Sequence, residues 1–281
     1  MIKVQDLSFS YTRKPFIEHL NFTVGEGEIF GFLGPSGAGK STLQKILVGI
    51  ISEYTGNVTV NNVDLRQHQA NFYETIGVDF EFPTLYEKLT GRQNLLFFAS
   101  LYQHHLDIAE LFAMVDLTEA IDQPVQAYSK GMKTRLNFIK ALVHDPQTIF
   151  LDEPLSGLDP NNARRMKEII LKLKTRGKTI ILTTHNMYDA SELCDRVAFI
   201  VKGSIKALDT PPNLIIKGRR LKLNYTFRQA EQDQQRSTMI DETADDEILL
   251  NLLRQNRLIT IHSDEPTLND VFVSLTGSNL Q

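Results

Sequence analysis

Short apolar runs alternate along this chain with stretches where apolar residues recur every three or four positions, which is the pattern of strands interleaved with helices. Ile2–Phe9 and residues 22–24 predict strands of an antiparallel flank that residues 57–63 continue. Residues 28–33 and 75–80 predict further strands, and Leu43, Ile46, Leu47 and Ile50 keep helical spacing. Between 85 and 144 the strand signals stop. Leu95, Leu96, Phe98, Ala99 and Tyr102 mark one helix, Leu111, Met114 and Val115 a second, and Leu136, Ile139, Ala141 and Leu142 a third. Strands return at 148–151, 179–183 and Arg196–Val201, with helices between. The expectation is an α/β core with a helical insertion at about 85–145, whose parallel strands would place a ligand beyond their carboxyl ends.

The texture changes after about Ile216. Residues 228–236 are almost entirely polar and read as a solvated loop or an exposed helix face, as does the acidic stretch 241–247. Apolar patterning resumes at Ile248, Leu249, Leu252 and Leu253, then at 258–261. Leu268, Val271, Phe272 and Leu275 finish with helical spacing behind Pro266, a residue favoured at the first helical position. These features predict a main domain over 1–215 and a small α/β appendage over 216–281.

The chemistry enters at residues 34–42, GPSGAGKST. Gly34, Gly39, Lys40 and Ser41 fit the phosphate-loop pattern G-x-x-x-x-G-K-[ST], between a buried strand and a helical run. Glycine lets successive backbone N–H groups point inward at phosphate oxygens, and the helix start adds its own unpaired donors. The predicted nucleotide contacts are Gly34, Pro35, Ser36, Gly37, Ala38, Gly39, Lys40, Ser41 and Thr42. Lys40 would meet the β- and γ-phosphates and Ser41 would ligate Mg²⁺. Downstream, TIFLDE is an apolar strand ending in two carboxylates: Asp152 is placed to hold Mg²⁺ and Glu153 to polarise an attacking water. At YSKGM, Ser129 is placed as the N-cap of a helix running through Lys140 and His144, and Gly131 would let backbone N–H groups approach an anion.

Net charge is −4 and pI ≈ 6.0, so nothing marks a nucleic-acid binder. The one cysteine, Cys194, excludes an intrachain disulfide framework and reads as a small buried residue on a helix. No secretion signal opens the chain, and no apolar run approaches the ~18 residues of a membrane span. A soluble, cytosolic protein is expected.

Taken in order, these motifs make the chain resemble the nucleotide-binding subunit of an ATP-binding-cassette (ABC) transporter. The family motif LSGGQ stands here as YSKGM, with Ser129 and Gly131 matching and Lys130 and Met132 departing. The resemblance implies a P-loop NTPase fold, ATP and Mg²⁺, and a dimer around two ATP, with a second copy or a paralogous cassette, in which the Ser129–Met132 segment reaches the γ-phosphate held by the partner. It further implies that Asp159 in SGLD belongs to a loop crossing the dimer interface. By the same resemblance, His185 contacts the γ-phosphate and, with Glu153 and Lys40, forms the catalytic set. Tyr11 matches the aromatic that stacks on adenine, with a packing role as the alternative. The family places a glutamine where this chain has Glu81. That residue is assigned to metal binding or coupling, against a solvated loop acid. The tail 265–277 resembles cassettes serving separate exporter permeases, so an integral membrane partner, peripheral attachment to the inner face of the membrane and export are implied. A soluble cassette ATPase acting on nucleic acid or the ribosome is the alternative. The interval from Lys40 to Asp152 is too short for the long coiled coil of DNA-repair members, and ribosome-acting members usually carry two cassettes.

Overall fold

The computed structural model describes residues 1–67, 69–217, 222–229, 232–264 and 266–277. The chain divides into two compact units, one over Met1–Pro211 and one from Pro212 onward. Along the first unit run β1 (Ile2–Phe9), β2 (Ile17–Val24), β3 (Ile29–Leu33), α1 (Lys40–Leu47), β4 (Thr55–Val60), β5 (Val63–Asp64) and β6 (Ile76–Asp79). The helices α2 (Gly91–Ala99), α3 (Ile108–Met114) and α4 (Lys130–Leu142) follow. Then come β7 (Thr148–Asp152), α5 (Pro160–Thr175), β8 (Thr179–Thr184), α6 (Met187–Leu193), β9 (Arg196–Val201) and β10 (Ser204–Asp209).

Two sheets form the core of this unit. One is four-stranded in the order β2-β1-β4-β5, and the other six-stranded in the order β10-β9-β3-β8-β7-β6. All pairs of the larger sheet are parallel except β10 with β9. The central strands β3, β7 and β8 are buried along their whole length, as continuous apolar runs covered on both faces must be. Ile2, Val4 and Leu20 of the antiparallel sheet share one apolar cluster with Leu43 and Ile46 of α1 and Phe32, Phe150 and Ile181 of the parallel sheet. The phosphate-loop helix is thus fixed by the main core.

Several predicted boundaries move. Ile50 lies beyond α1 and is 58% exposed, because Val48 caps the helix and the chain turns at Gly49, where φ is 78°. Strand β2 begins at Ile17 rather than near 22, its exposed polar positions hiding the alternation. The predicted strand over 57–63 is the hairpin β4–β5, broken by Asn61 and Asn62 with φ of 51° and 64°. Tyr102 lies past α2, α4 stops at Leu142 before His144, and Cys194 is buried just past α6 rather than on it.

At the division stands α7 (Pro211–Lys217). The second unit then holds β11 (Lys222–Gln229), β12 (Gln232–Met239), α8 (Glu247–Arg254), β13 (Leu258–Asp264) and α9 (Leu268–Thr276). Its antiparallel sheet has the order β12-β11-β13, and Tyr225, Phe227, Leu249 and Leu252 form its cluster. The polar run 228–236 is therefore neither loop nor helix face for most of its length. It ends β11 and builds β12, an edge strand exposed at Gln232–Ser237 that needs no apolar side to pair. Residues 230–231 of that run, and Glu265 of the tail, lie outside the described residues. Pro266 precedes the N-cap of α9; Thr267 caps it in a reciprocal box with Asp270.

Candidate functional site

The register of the parallel sheet assembles the site. Leu33 of β3 lies opposite Thr184 of β8, and Thr183 of β8 lies opposite Asp152 of β7. The three segments leaving these strands, Gly34 onward, His185 and Glu153, therefore emerge side by side at the carboxyl edge. Gly34 is obligatory: a Cβ there would meet the Ile200 carbonyl oxygen. Gly39, at φ 111°, sits at the N-cap of α1 without a side-chain cap, so the helix start keeps unpaired N–H donors for an anion.

Lys40 is 9% exposed and folds back on the loop, its Nζ donating to the carbonyls of Gly34 at 2.6 Å and Pro35 at 3.1 Å. Burial pulls its ammonium below the usual value, while Glu153, Asp152 and Glu81 work to keep it charged. A cavity of about 290 Å³ joins Ser36, Gly37, Gly39, Lys40, Ser41 and Thr42 of the loop to Glu81, Asp152, Glu153 and His185. Asp152 is 6% exposed and accepts a hydrogen bond from the Thr183 hydroxyl. Glu153 adopts φ 50°, a left-handed conformation that costs a non-glycine residue about 1–3 kcal/mol. The strain is held by its N–H donating to the Thr183 carbonyl at 3.0 Å. The carboxylate accepts from the Thr184 hydroxyl at 3.1 Å and meets His185 Nδ1 at 2.8 Å. The result is a carboxylate oriented by two neighbours beside the phosphate loop.

Not every predicted residue joins this cavity. The Tyr11 ring is 59% exposed and lies edge-on to Phe9 and Phe16, its hydroxyl 2.9 Å from Thr42 Oγ1. Phe16, absent from the sequence expectations, lines the cavity instead. Gly34, Pro35 and Ala38 shape the loop without lining the cavity. Ser129 caps α4 by accepting from the Met132 N–H at 3.2 Å and is exposed with Lys130, while Gly131 and Met132 are partly exposed. None of the four lines the phosphate-loop cavity. Asp159 caps α5 through the N–H groups of Asn161 and Asn162, and the Asn162 amide holds its carboxyl below the usual range.

Among the described residues no cluster of three or more His, Cys, Asp or Glu forms a metal cage. Ser41, Asp152 and Glu81, the oxygen donors expected to meet a metal, all line the cavity and are hard. That set suits Mg²⁺, which keeps waters and substrate phosphate oxygens in its shell rather than an all-protein cage. Two polar residues that the sequence did not signal lie next to the site. Asp79 ends β6 and Asn137 sits on α4; both are 2% exposed and hydrogen-bonded to each other. Burial, chiefly, pushes the Asp79 carboxyl up to about 8.

Residues 17–156 match the family model described as ABC transporter. The fluoroquinolones export ATP-binding protein of Mycobacterium tuberculosis is 48% identical over 284 residues, covering 100% of this chain and 94% of the relative. The Nod factor export ATP-binding protein I of Rhizobium etli is 34% identical over 298 residues, covering 100% and 94%. A solved ATP-binding subunit of an ABC transporter is 30% identical with a TM-score of 0.70, covering 77% of this chain and 92% of that one. The chain belongs to the ABC transporter family, as an ATP-binding subunit that hydrolyses ATP.

Proposed function

We propose that two copies of this chain close around two ATP molecules and use their hydrolysis to drive an export permease. The carrying observation is the Thr184–Glu153–His185 arrangement beside Lys40, set against Ser129 and Gly131 outside that cavity. The loop N–H groups and Lys40 hold the triphosphate. Glu153 takes the proton of the attacking water, and His185, hydrogen-bonded to that carboxylate, fixes its direction and faces the γ-phosphate. Ser41 and Asp152, with Glu81, would hold Mg²⁺, which supplies charge neutralisation on the phosphates. The N–H groups of Lys130 and Gly131, ahead of the capped Met132 N–H, and the Ser129 hydroxyl would complete the partner's site, with Asp159 at the interface. Tyr11 and Phe16 offer the aromatic surface for adenine. Residues 1–215 form the nucleotide-binding domain in this reading and 216–281 an accessory region.

A membrane partner is supported by exposed apolar side chains in and before the helical insertion. Phe82 is 79% exposed and Tyr86 47%, with Leu96, Phe97 and Leu101 also open. Among the described residues no helix is long and apolar enough to cross a membrane, so this surface would seat the chain on a separate permease at the inner face. Export follows from the full-length similarity to a fluoroquinolones export protein, and drug-like compounds are the proposed cargo class.

The shared site is testable by mixing two dead variants. Glu153→Gln lacks the base, and Ser129→Arg blocks the helix start offered to a partner. Mixed in equal amounts before ATP is added, they form heterodimers with one intact site, and about a quarter of the wild-type rate should return. No recovery, or full activity in a dilute monomer, would refute the shared site. Co-purification of only soluble proteins in mild detergent would refute the permease.

A further inference from the structure

Helix α4, which begins at Ser129, is laced along one face to the segment that carries Glu81. Lys133, Asn137 and Lys140 stand at i, i+4 and i+7 and so share that face. Lys133 Nζ meets the Glu87 carboxylate at 2.7 Å, and Lys140 Nζ reaches the Thr84 carbonyl at 3.5 Å. Asn137 Nδ2 donates both to the Asp79 carboxyl and, at 3.0 Å, to the carbonyl of Phe80, the residue before Glu81. The two lysines are partly exposed, whereas Asn137 is buried, so water does not compete for its bonds. A side chain of similar volume without an amide would fill the space but leave the Phe80 carbonyl without this donor. The amide is therefore a specific tie between α4 and the peptide leading to Glu81, a residue that lines the phosphate-loop cavity.

We propose that Asn137 is a positioning residue of the ATPase: it locks the Phe80–Glu81 peptide to the helix beginning at Ser129, so that Glu81 and the donors offered to the partner nucleotide move as one body. The proposal rests on the reading of Glu81 and Ser129 given above. It requires that Asn137 act through Glu81 and not through the phosphate loop.

The test is a cycle of full-length proteins: unsubstituted, Asn137→Leu, Glu81→Ala and the double variant. Asn137→Leu should lower kcat about tenfold, with KM for ATP within about twofold, because the phosphate loop is untouched. Glu81→Ala should also lower kcat, and adding Asn137→Leu to it should cost no more than about twofold further. In a Glu153→Gln background, hydrogen exchange of the amides of residues 80–87 should rise about tenfold in Asn137→Leu and no longer slow when ATP is added. Multiplying losses, an unaffected kcat in Glu81→Ala, or unchanged exchange across 80–87 would each overturn the proposal. If Asn137→Leu does not fold, Asn137→Ser, whose hydroxyl is too short to reach Phe80, carries the same cycle. The loss of hydrolysis in Glu153→Gln with Asn137 intact reports separately on the proposed function.

Discussion

Asp79→Asn should stabilise the protein near neutral pH, and by an amount that grows with pH. Asp79 is 2% exposed at the end of β6. Burial, with the Asp152 carboxylate adding to it and Lys140 and the Asn137 hydrogen bond opposing it, moves the carboxyl from 3.8 to about 8. Between those values the folded chain keeps a proton that the unfolded chain has released. The native state then binds more protons than the unfolded one, and stability falls as pH rises, by about 1.4 kcal/mol per pH unit for one group. From pH 5 to pH 7 this amounts to about 3 kcal/mol that the asparagine variant does not lose. The variant keeps the shape, and its amide gains a use: Asn137 Oδ1 is buried without a partner and can accept from it. Urea unfolding of both proteins at pH 5, 6 and 7, without nucleotide, measures the difference, and all other titrating groups cancel. Parallel pH profiles would show that Asp79 is ionised in the fold and that the reasoning is wrong.

Glu153→Gln is expected to bind ATP and dimerise while losing about 10²- to 10⁴-fold in turnover, measured as phosphate release; near-normal release would mean another group activates the water. Lys40→Ala should abolish binding of a fluorescent ATP analogue, since it removes the buried cation of the loop; retained titration would count against the loop as the main anchor. His144 is held neutral, its pKa lowered by burial, with Nε2 facing the Ile76 carbonyl at 2.9 Å. A depressed histidine contributes stability that is present above its unfolded value of 6.5 and is lost as pH falls through its folded value. His144→Gln should therefore be less stable than wild type at pH 7, by about 1 kcal/mol for the lost ring stacking on Tyr102, and lose less between pH 7 and pH 5; an equal acid loss in urea melts would refute this.

The features legible in the sequence are local ones. The phosphate loop announces itself because strand, turn and helix start are consecutive, and each demands a particular residue type. Asp152 closes a five-residue buried strand with Glu153 next after it, and Ser129 caps its helix by accepting from an N–H only three residues on. The unread parts depend on partners far along the chain. The Asn137–Asp79 pair joins residues 58 apart, and no spacing rule links a polar helix position to a strand end that distant. Phe16 looks like any apolar residue until β2 brings it to the phosphate loop. Strand β12 offers no alternation because an edge strand solvated along most of its length needs none. Pro266 does not start α9 because Thr267 takes the N-cap, its N–H donating to the Asp270 carboxylate at 2.8 Å and its hydroxyl accepting from the Asp270 N–H at 3.3 Å.

The strand order also accounts for why the proposed site is incomplete in one copy. Adjacent parallel strands β3, β8 and β7 can deliver only the residues next to their own carboxyl ends: the loop at Gly34, His185 and Glu153. The neighbouring strand, β6, delivers the segment to Glu81 and then gives way to the helical insertion. Ser129 belongs to that insertion; its helix is tied at Asp79 and Phe80 through Asn137, and the chain just past its end is tied at Ile76 through His144. A helix held at those points cannot swing its start onto Lys40 of the same chain without breaking buried hydrogen bonds. In the proposed function the donors at its start therefore serve a nucleotide that comes to them, carried by the phosphate loop of a second copy.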